Sequence, residues 1–190
     1  MTAVYDVAII GGGPAGCSAA ITLAGRGLRV VLIEAKRYPH HKVCGEFLSP
    51  ECHQLLGDLG VMAMLMALHP VPIKVACISA PDGTAWETRF PQPGLGISRS
   101  ALDATLATRA RDLGVEVREA TTVTDVRGSL HEGFLIETRT GNGRAQIPAR
   151  TAIAAYGKRG TLDRVLKRRF MDRPQPFVAF KTHIRGPSLP

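Results

Sequence analysis

The sequence predicts an α/β fold, a parallel sheet with helices and an added antiparallel β layer, and three observations predict it. Tyr5 to Ile10 is an apolar, partly β-branched run that stops at three consecutive glycines. Pro14 to Arg26 has the alanine-rich composition of a helix and leads into a second apolar run, Leu28 to Ile33. Beyond residue 70, short strand-like segments alternate with turn signals. Composition agrees: 190 residues, 45% apolar and 21% charged, describe a globular chain and exclude collagen-like, disulfide-scaffold and disordered classes. The longest unbroken apolar run, Val61 to Leu68, is far short of the ~20 residues of a membrane span.

Taken in order, Tyr5 to Ile10 reads as a strand buried on both faces of a parallel sheet, because it lacks the polar alternation of a half-exposed strand. Pro14 suits a first helical turn and Gly27 a helix end. With Leu28 to Ile33 as the next strand, the first 34 residues form a βαβ unit. Lys36 to Gly45 is a loop, and Ser49-Pro50-Glu51 announces one or two short helices running to Leu68. Ile73 to Ser79 and Thr84 to Thr88 flank Pro81-Asp82-Gly83 as a hairpin, and Ala101 to Leu113 has apolar residues at helical spacing. Val115 to Val117, Thr122 to Val126, Phe134 to Thr138 and Arg144 to Ile147 read as strands.

Gly11-Gly12-Gly13-Pro14-Ala15-Gly16 fits GxGxxG and lies where that motif has a physical meaning, between a strand and a helix. Gly11 permits the tight turn, Gly13 removes a side chain that would keep a pyrophosphate from the helix N-terminus, and Gly16 lets the helix approach the strand. Glu34, at the end of the second strand, is placed to hydrogen-bond a ribose diol and would repel a 2′-phosphate. These features make the fold Rossmann-like, and FAD or NAD the expected ligand.

The net charge of +8 does not imply nucleic acid, since the basic residues are spread along the chain and three Tyr, six Phe and one Trp offer little for base stacking. No nucleic-acid partner is expected. Cys17, Cys44, Cys52 and Cys77 have neither CxxC nor zinc-type spacing and read as reduced thiols, with no metal site. The start of the chain shows no basic leader ahead of its first strand, so a cytoplasmic address is expected. No GxSxG or clustered ligand motif supports a hydrolase or a metalloenzyme.

The N-terminal strand, Gly11 to Gly16 and Glu34 resemble the FAD-binding part of flavoprotein oxidoreductases of the p-hydroxybenzoate hydroxylase type. Arg37-Tyr38-Pro39-His40-His41-Lys42-Val43-Cys44-Gly45-Glu46 is similar to the geranylgeranyl reductase-like branch, whose pattern has a Lys two residues before Cys-Gly-Gly. Ile97-Ser98-Arg99 with Leu102-Asp103 resembles that family's arginine before a helix, and Ala154 to Arg159 stands at its Asp-Gly-type segment. The resemblance implies that Ala15 lies beside the pyrophosphate, Arg99 near the phosphates and Val123 beside adenine through its backbone, with Cys44 and Gly45 lining the flavin region. Pro14, Ala35 and Gly157, which neighbour these positions, complete the expected FAD contacts together with Arg37, whose guanidinium suits phosphate oxygens. Glu46 replaces the second glycine of Cys-Gly-Gly, and Tyr156 the acidic residue of the Asp-Gly segment.

The whole chain, residues 1–190, is then expected to be an FAD-binding domain, with a βαβ core at 4–35, an inserted helical and β segment at 46–98, a return to the core at 99–160 and the start of a substrate lobe at 174–190. Family members continue beyond this length with a Gly-Asp segment and a substrate lobe, so the chain is expected to be truncated at its C-terminus. The expected function is an FAD-dependent oxidoreductase, either a geranylgeranyl reductase-like enzyme or a monooxygenase. Its substrate would be small and apolar, isoprenoid or aromatic, and its electron donor NAD(P)H or reduced ferredoxin. Two other functions fit the residues: a non-catalytic flavin-binding module that needs a missing half or a partner, and an NAD-binding protein, since Glu34 suits either dinucleotide. Catalytic residues are not defined by the sequence, with Cys44 and Glu46 the weak candidates. Lys158 to Arg173, with seven basic and two acidic residues, would allow peripheral contact with anionic lipid.

Overall fold

The computed structural model describes residues 4–158, 160–172 and 177–183. The expected substrate-lobe start at 174–190 lies outside the described residues except for 177–183. The first strand, β1 (Tyr5–Ile10), is followed by helix α1 (Pro14–Ala24) and strand β2 (Val30–Ile33). A short strand β3 (Phe47–Leu48), helices α2 (Cys52–Asp58) and α3 (Met62–Met66), and a long hairpin of β4 (Val71–Ser79) and β5 (Ala85–Gly96) come next. Helix α4 (Arg99–Asp112), strands β6 (Glu116–Arg118), β7 (Thr122–Ser129), β8 (Gly133–Thr140) and β9 (Gly143–Ala154), helix α5 (Thr161–Val165) and a short 3-10 helix (Arg169–Asp172) complete the order among the described residues.

The main sheet has the order β6-β2-β1-β9-β8-β7. Its first four strands pair in parallel, and β9, β8 and β7 form an antiparallel meander. Strand β9 joins the two halves: residues 143–149 pair with β8 and residues 149–154 pair with β1, so Ala149 faces both Tyr5 and Phe134. The antiparallel layer expected from the sequence is therefore continuous with the parallel core. A second, three-stranded sheet, β3-β5-β4, carries the separate antiparallel layer.

Alternation along β1 explains why that strand is apolar from Val7 onward, with Asp6 the one charged residue at its partly exposed start. Val7 and Ile9 point to the face covered by α1 and α4, where Cys17, Ala20, Ile21, Leu102, Leu106 and Ala110 pack. Ala8 and Ile10 point to the opposite face, against Val31, Ile33, Val123, Ile136 and Ile147. Helix α1 ends at Ala24, two residues before the expected Arg26, because Gly25 caps it and Gly27 turns the chain at φ +80. The small residues Gly16, Cys17 and Ala20 are fully or nearly buried and let α1 lie close on the sheet.

Burial also sets the chemistry of the thiols. Cys17 has no exposed surface, and desolvation pushes its thiol up to about 11 although Tyr38 opposes the shift. A thiol reagent at pH 8 is expected to label exposed Cys77 quickly and to leave Cys17 unlabelled until the protein unfolds. Peptide mapping of the labelled cysteines checks this, and early modification of Cys17 would contradict the packing of α1.

Candidate functional site

A cleft of about 710 Å³ opens at the C-terminal ends of β1 and β2, within the size range of small-molecule sites. It sits where the chain leaves β1 toward β2 on one side while β9 returns on the other, the switch point at which open α/β sheets bind ligands. Gly11 makes this opening. Its φ is +106, its amide donates to the Ile33 carbonyl at 2.8 Å, and a Cβ there would lie 2.4 Å from the Ala155 carbonyl oxygen. Gly16 serves the packing of the helix instead. A Cβ on it would lie 1.9 Å from the Gly11 carbonyl oxygen, so only glycine lets α1 begin this close to the turn.

The intervening peptide is fixed from both ends. The Gly12 amide donates to Glu34 Oε2 at 2.8 Å, and the Gly12 carbonyl accepts from the Tyr38 hydroxyl at 2.5 Å and from Cys17 Sγ at 3.3 Å. Burial drives the Tyr38 phenol well above its ordinary range, so it remains a donor. Gly13 caps α1 without any side-chain hydrogen bond, and α1 starts with a proline. The first-turn amides of α1 are thus left for a ligand, with the positive end of the helix dipole behind them.

Two cations converge on that helix end. A Cβ on Gly13 would lie 3.7 Å from Lys42 Nζ and 3.8 Å from the Arg99 guanidinium. Arg99, the first residue of α4, donates two hydrogen bonds to Asp103, at 3.1 and 3.0 Å. Burial lowers the Arg99 pKa, but the hydrogen bonds and charge of Asp103 outweigh it, and the net shift is upward. Asp103 has no exposed surface, and Lys42 Nζ lies 3.5 Å from Asp103 Oδ2 and 4.0 Å from Glu34 Oε2. Glu34 uses one lone pair of each oxygen internally, on the Gly12 and Lys36 amides, and lines the cleft with acceptor capacity left over.

Of the residues singled out from sequence, Gly11, Gly13, Pro14, Ala15, Glu34, Ala35, Arg99, Val123 and Gly157 line this cleft. Gly16 stands behind it, at the helix–strand approach. Arg37, Cys44 and Gly45 do not line it, because the loop leaves the cleft after Lys36 and returns to it only at Lys42 and Val43. The Arg37 side chain is exposed; the Cys44 sulfur accepts from the Glu46 amide at 3.4 Å and faces Arg99. From sequence, Lys42 and Asp103 stood within motifs without a role of their own, and Tyr38 was passed over. The i,i+4 spacing of Arg99 and Asp103 on one helix was the available signal for Asp103.

Glu46, which replaces the second glycine of the Cys-Gly-Gly pattern, has a structural part to play. Its φ is +57, so the backbone keeps a conformation that favours glycine although the side chain is present. That side chain accepts from the Arg99 amide at 3.1 Å, capping α4, and it also pairs with Lys181 and, at 3.2 Å, with His183. The Lys181 hydrogen bond is the main cause holding this carboxyl below its ordinary range. A depressed carboxyl contributes its full stability above the unfolded value of about 4.3 and loses it as pH falls through the lower folded value. Glu46→Gln is expected to increase hydrogen exchange at residues 181–183 relative to the wild type when both are measured at pH 7. Unchanged exchange in the variant would show that the contact does not hold this segment.

The sequence profile of the FAD binding domain family matches residues 4–184. The chain belongs to this family. This FAD-binding domain is 29% identical over 187 residues to a menaquinone reductase of Mycolicibacterium smegmatis, covering 96% of the chain and 44% of that protein. It is 38% identical over 128 residues to a digeranylgeranylglycerophospholipid reductase of Methanosarcina mazei, covering 63% of the chain and 30% of that protein. The solved structure of the myxobacterial chondrochloren halogenase CndH, an FAD-dependent halogenase, superposes with a TM-score of 0.76 at 26% identity, covering 85% of the chain and 39% of the halogenase. The chain thus spans less than half the length of these relatives.

The residues present fit FAD. A diphosphate carries two negative charges, and the space in front of Gly13 offers two side-chain cations, helix amides and no Cβ to fill it. Gly11 and Gly157 both line the cleft, and Glu34 stands where a ribose diol would be held. Among the described residues no group of His, Cys, Asp and Glu could hold a metal, and no helix is long and apolar enough to cross a membrane.

Proposed function

We propose that this chain supplies the cofactor-binding part of an FAD-dependent reductase acting on an apolar, isoprenoid-type substrate. Its cleft would hold the ADP half of FAD, and the observation that carries this is the convergence of Lys42, Arg99 and the α1 N-terminus on Gly13. Glu34 would orient the adenosine ribose, and Thr121 to Val123 would border the adenine end. Val123 would present its backbone there, while Cys44 and Gly45 would stand toward the flavin ring. When bound, FAD supplies the redox chemistry; the protein positions it and excludes water. Likeness to two reductases, one across nearly the whole chain, favours reduction over monooxygenation, which is the alternative activity. NAD(P)H or reduced ferredoxin would donate electrons, and the cytoplasm is the proposed location. Exposed Val165, Leu166 and Phe170 among the basic residues that follow Lys158 support peripheral contact with a membrane that carries the substrate.

A second reading, a flavin-binding module completed by a partner, is favoured by the apolar side chains Val71, Ile78 and Trp86 that the β4-β5 hairpin leaves exposed. The visible spectrum of the purified chain, with identification of the chromophore released on denaturation, tests the cofactor. Oxidation of the bound, chemically reduced flavin by menaquinone-type or isoprenoid acceptors without oxygen tests the reductase. Bound FAD that only oxygen reoxidises, with hydroxylation of an aromatic acceptor, would replace that reading by the monooxygenase. A chain that takes up NAD and not FAD would overturn both.

A further inference from the structure

We infer that Asp103 is a positioning residue that aims both Arg99 and Lys42 at the diphosphate; this rests on the proposed FAD site. Asp103 has no exposed surface and lies below the cleft, which it does not line, so it would not touch the ligand itself. Its two oxygens take the Arg99 fork at 3.1 and 3.0 Å, and Oδ2 also lies 3.5 Å from Lys42 Nζ. The two cations come from distant parts of the chain, α4 and the loop after β2, and Asp103 is the group they share. A guanidinium held by two parallel hydrogen bonds has one orientation, and Arg99 keeps its remaining N–H groups for oxygens in front of Gly13. Lys42, whose side chain is 32% exposed, would otherwise sample many rotamers in solvent.

Charge and position make opposite forecasts for Asp103→Asn. Removing a negative charge beside the site would, by Coulomb's law alone, strengthen anion binding. Loss of aim weakens it, because an amide offers one acceptor and a donor where the fork needs two acceptors. Binding of ADP and of adenosine, measured by calorimetry on the full chain, separates the two. We expect Asp103→Asn to weaken ADP about tenfold and to leave adenosine within twofold of wild type, since adenosine lacks the phosphates. Lys42→Gln, at a half-exposed side chain, is expected to weaken ADP several-fold with adenosine again unchanged. The double variant should lose less than the product of the two single losses, because Asp103 acts through Lys42.

Tighter or unchanged ADP binding in folded Asp103→Asn overturns the inference, as does an equal loss of ADP and adenosine. If Asp103→Asn does not fold, Lys42→Gln decides, and an unchanged ratio of ADP to adenosine affinity overturns it. Failure of the wild-type chain to bind ADP or FAD would instead remove the proposed site on which the inference stands.

Discussion

Replacing Gly11 with alanine is expected to destabilise the chain by roughly 3 kcal/mol or more, because two costs fall on one atom. At φ +106 an L-residue is outside even the left-handed helical region, and the new methyl would lie 2.4 Å from the Ala155 carbonyl oxygen and 2.6 Å from the Tyr156 Cα. Those atoms are backbone at the exit of β9, whose last residue, Ala154, is paired with Ile10 of β1, so relief requires the parallel pair to part. Parting it also shifts the Ala155 amide from the Ile10 carbonyl, at 2.8 Å. Against a typical total of about 5–15 kcal/mol, this is a large fraction of the stability. Urea unfolding, with the midpoint and slope compared to wild type, measures it; a shift worth under ~1 kcal/mol would contradict so tight a closure of β1 on β9.

Arg99→Ala is expected to act on stability and binding together. It strands a fully buried carboxylate, Asp103, and breaking a buried pair from one side ordinarily costs about 3–5 kcal/mol. Lys42, 3.5 Å away, remains as partial compensation, so the lower end of that range is expected. Affinity for ADP should fall by about 10- to 100-fold, the worth of charged hydrogen bonds to a phosphate. Arg99→Lys keeps the charge and loses the fork; its affinity should lie between those of wild type and Arg99→Ala. Thermal unfolding with calorimetric titration of ADP separates the two effects. An Arg99→Ala protein as stable as wild type would mean that Lys42 alone satisfies Asp103.

The parts of the molecule legible in the sequence are those written by local pattern. The β1-α1-β2 unit follows from an apolar run, a glycine turn, an alanine-rich stretch and a second apolar run, all within 34 residues. Helix α4 is equally visible, although its start at Arg99 depends on Ser98, whose side chain accepts from the Ala101 amide at 3.2 Å. Strand β9 is legible only to Ile147. Pro148 interrupts the pattern there, and what carries the strand on to Ala154 is pairing with β1, a partner more than 140 residues away in sequence. Strand β3, two residues long, has no period to read.

The site divides in the same way. Gly11, Gly13, Gly16 and Glu34 are legible because each acts within one βαβ unit. Tyr38, Lys42 and Asp103 are not, since each gains its role from a tertiary meeting: Tyr38 with Gly12, and Lys42 with Asp103 across the loop after β2. Glu46 shows the limit of reasoning by residue type. An exposed loop glutamate is common, but this one occupies a left-handed backbone position and caps α4.

In the proposed site the cleft would grip the ADP half of FAD through the turn at Gly13. Calorimetric titration of the chain with FAD, repeated in saturating ADP and then in saturating riboflavin, decides where the grip lies. The geometry predicts one FAD per chain, binding abolished by ADP and little changed by riboflavin. FAD binding that persists in saturating ADP, or that riboflavin displaces, would put the grip on the flavin ring and contradict a hold centred on Gly13.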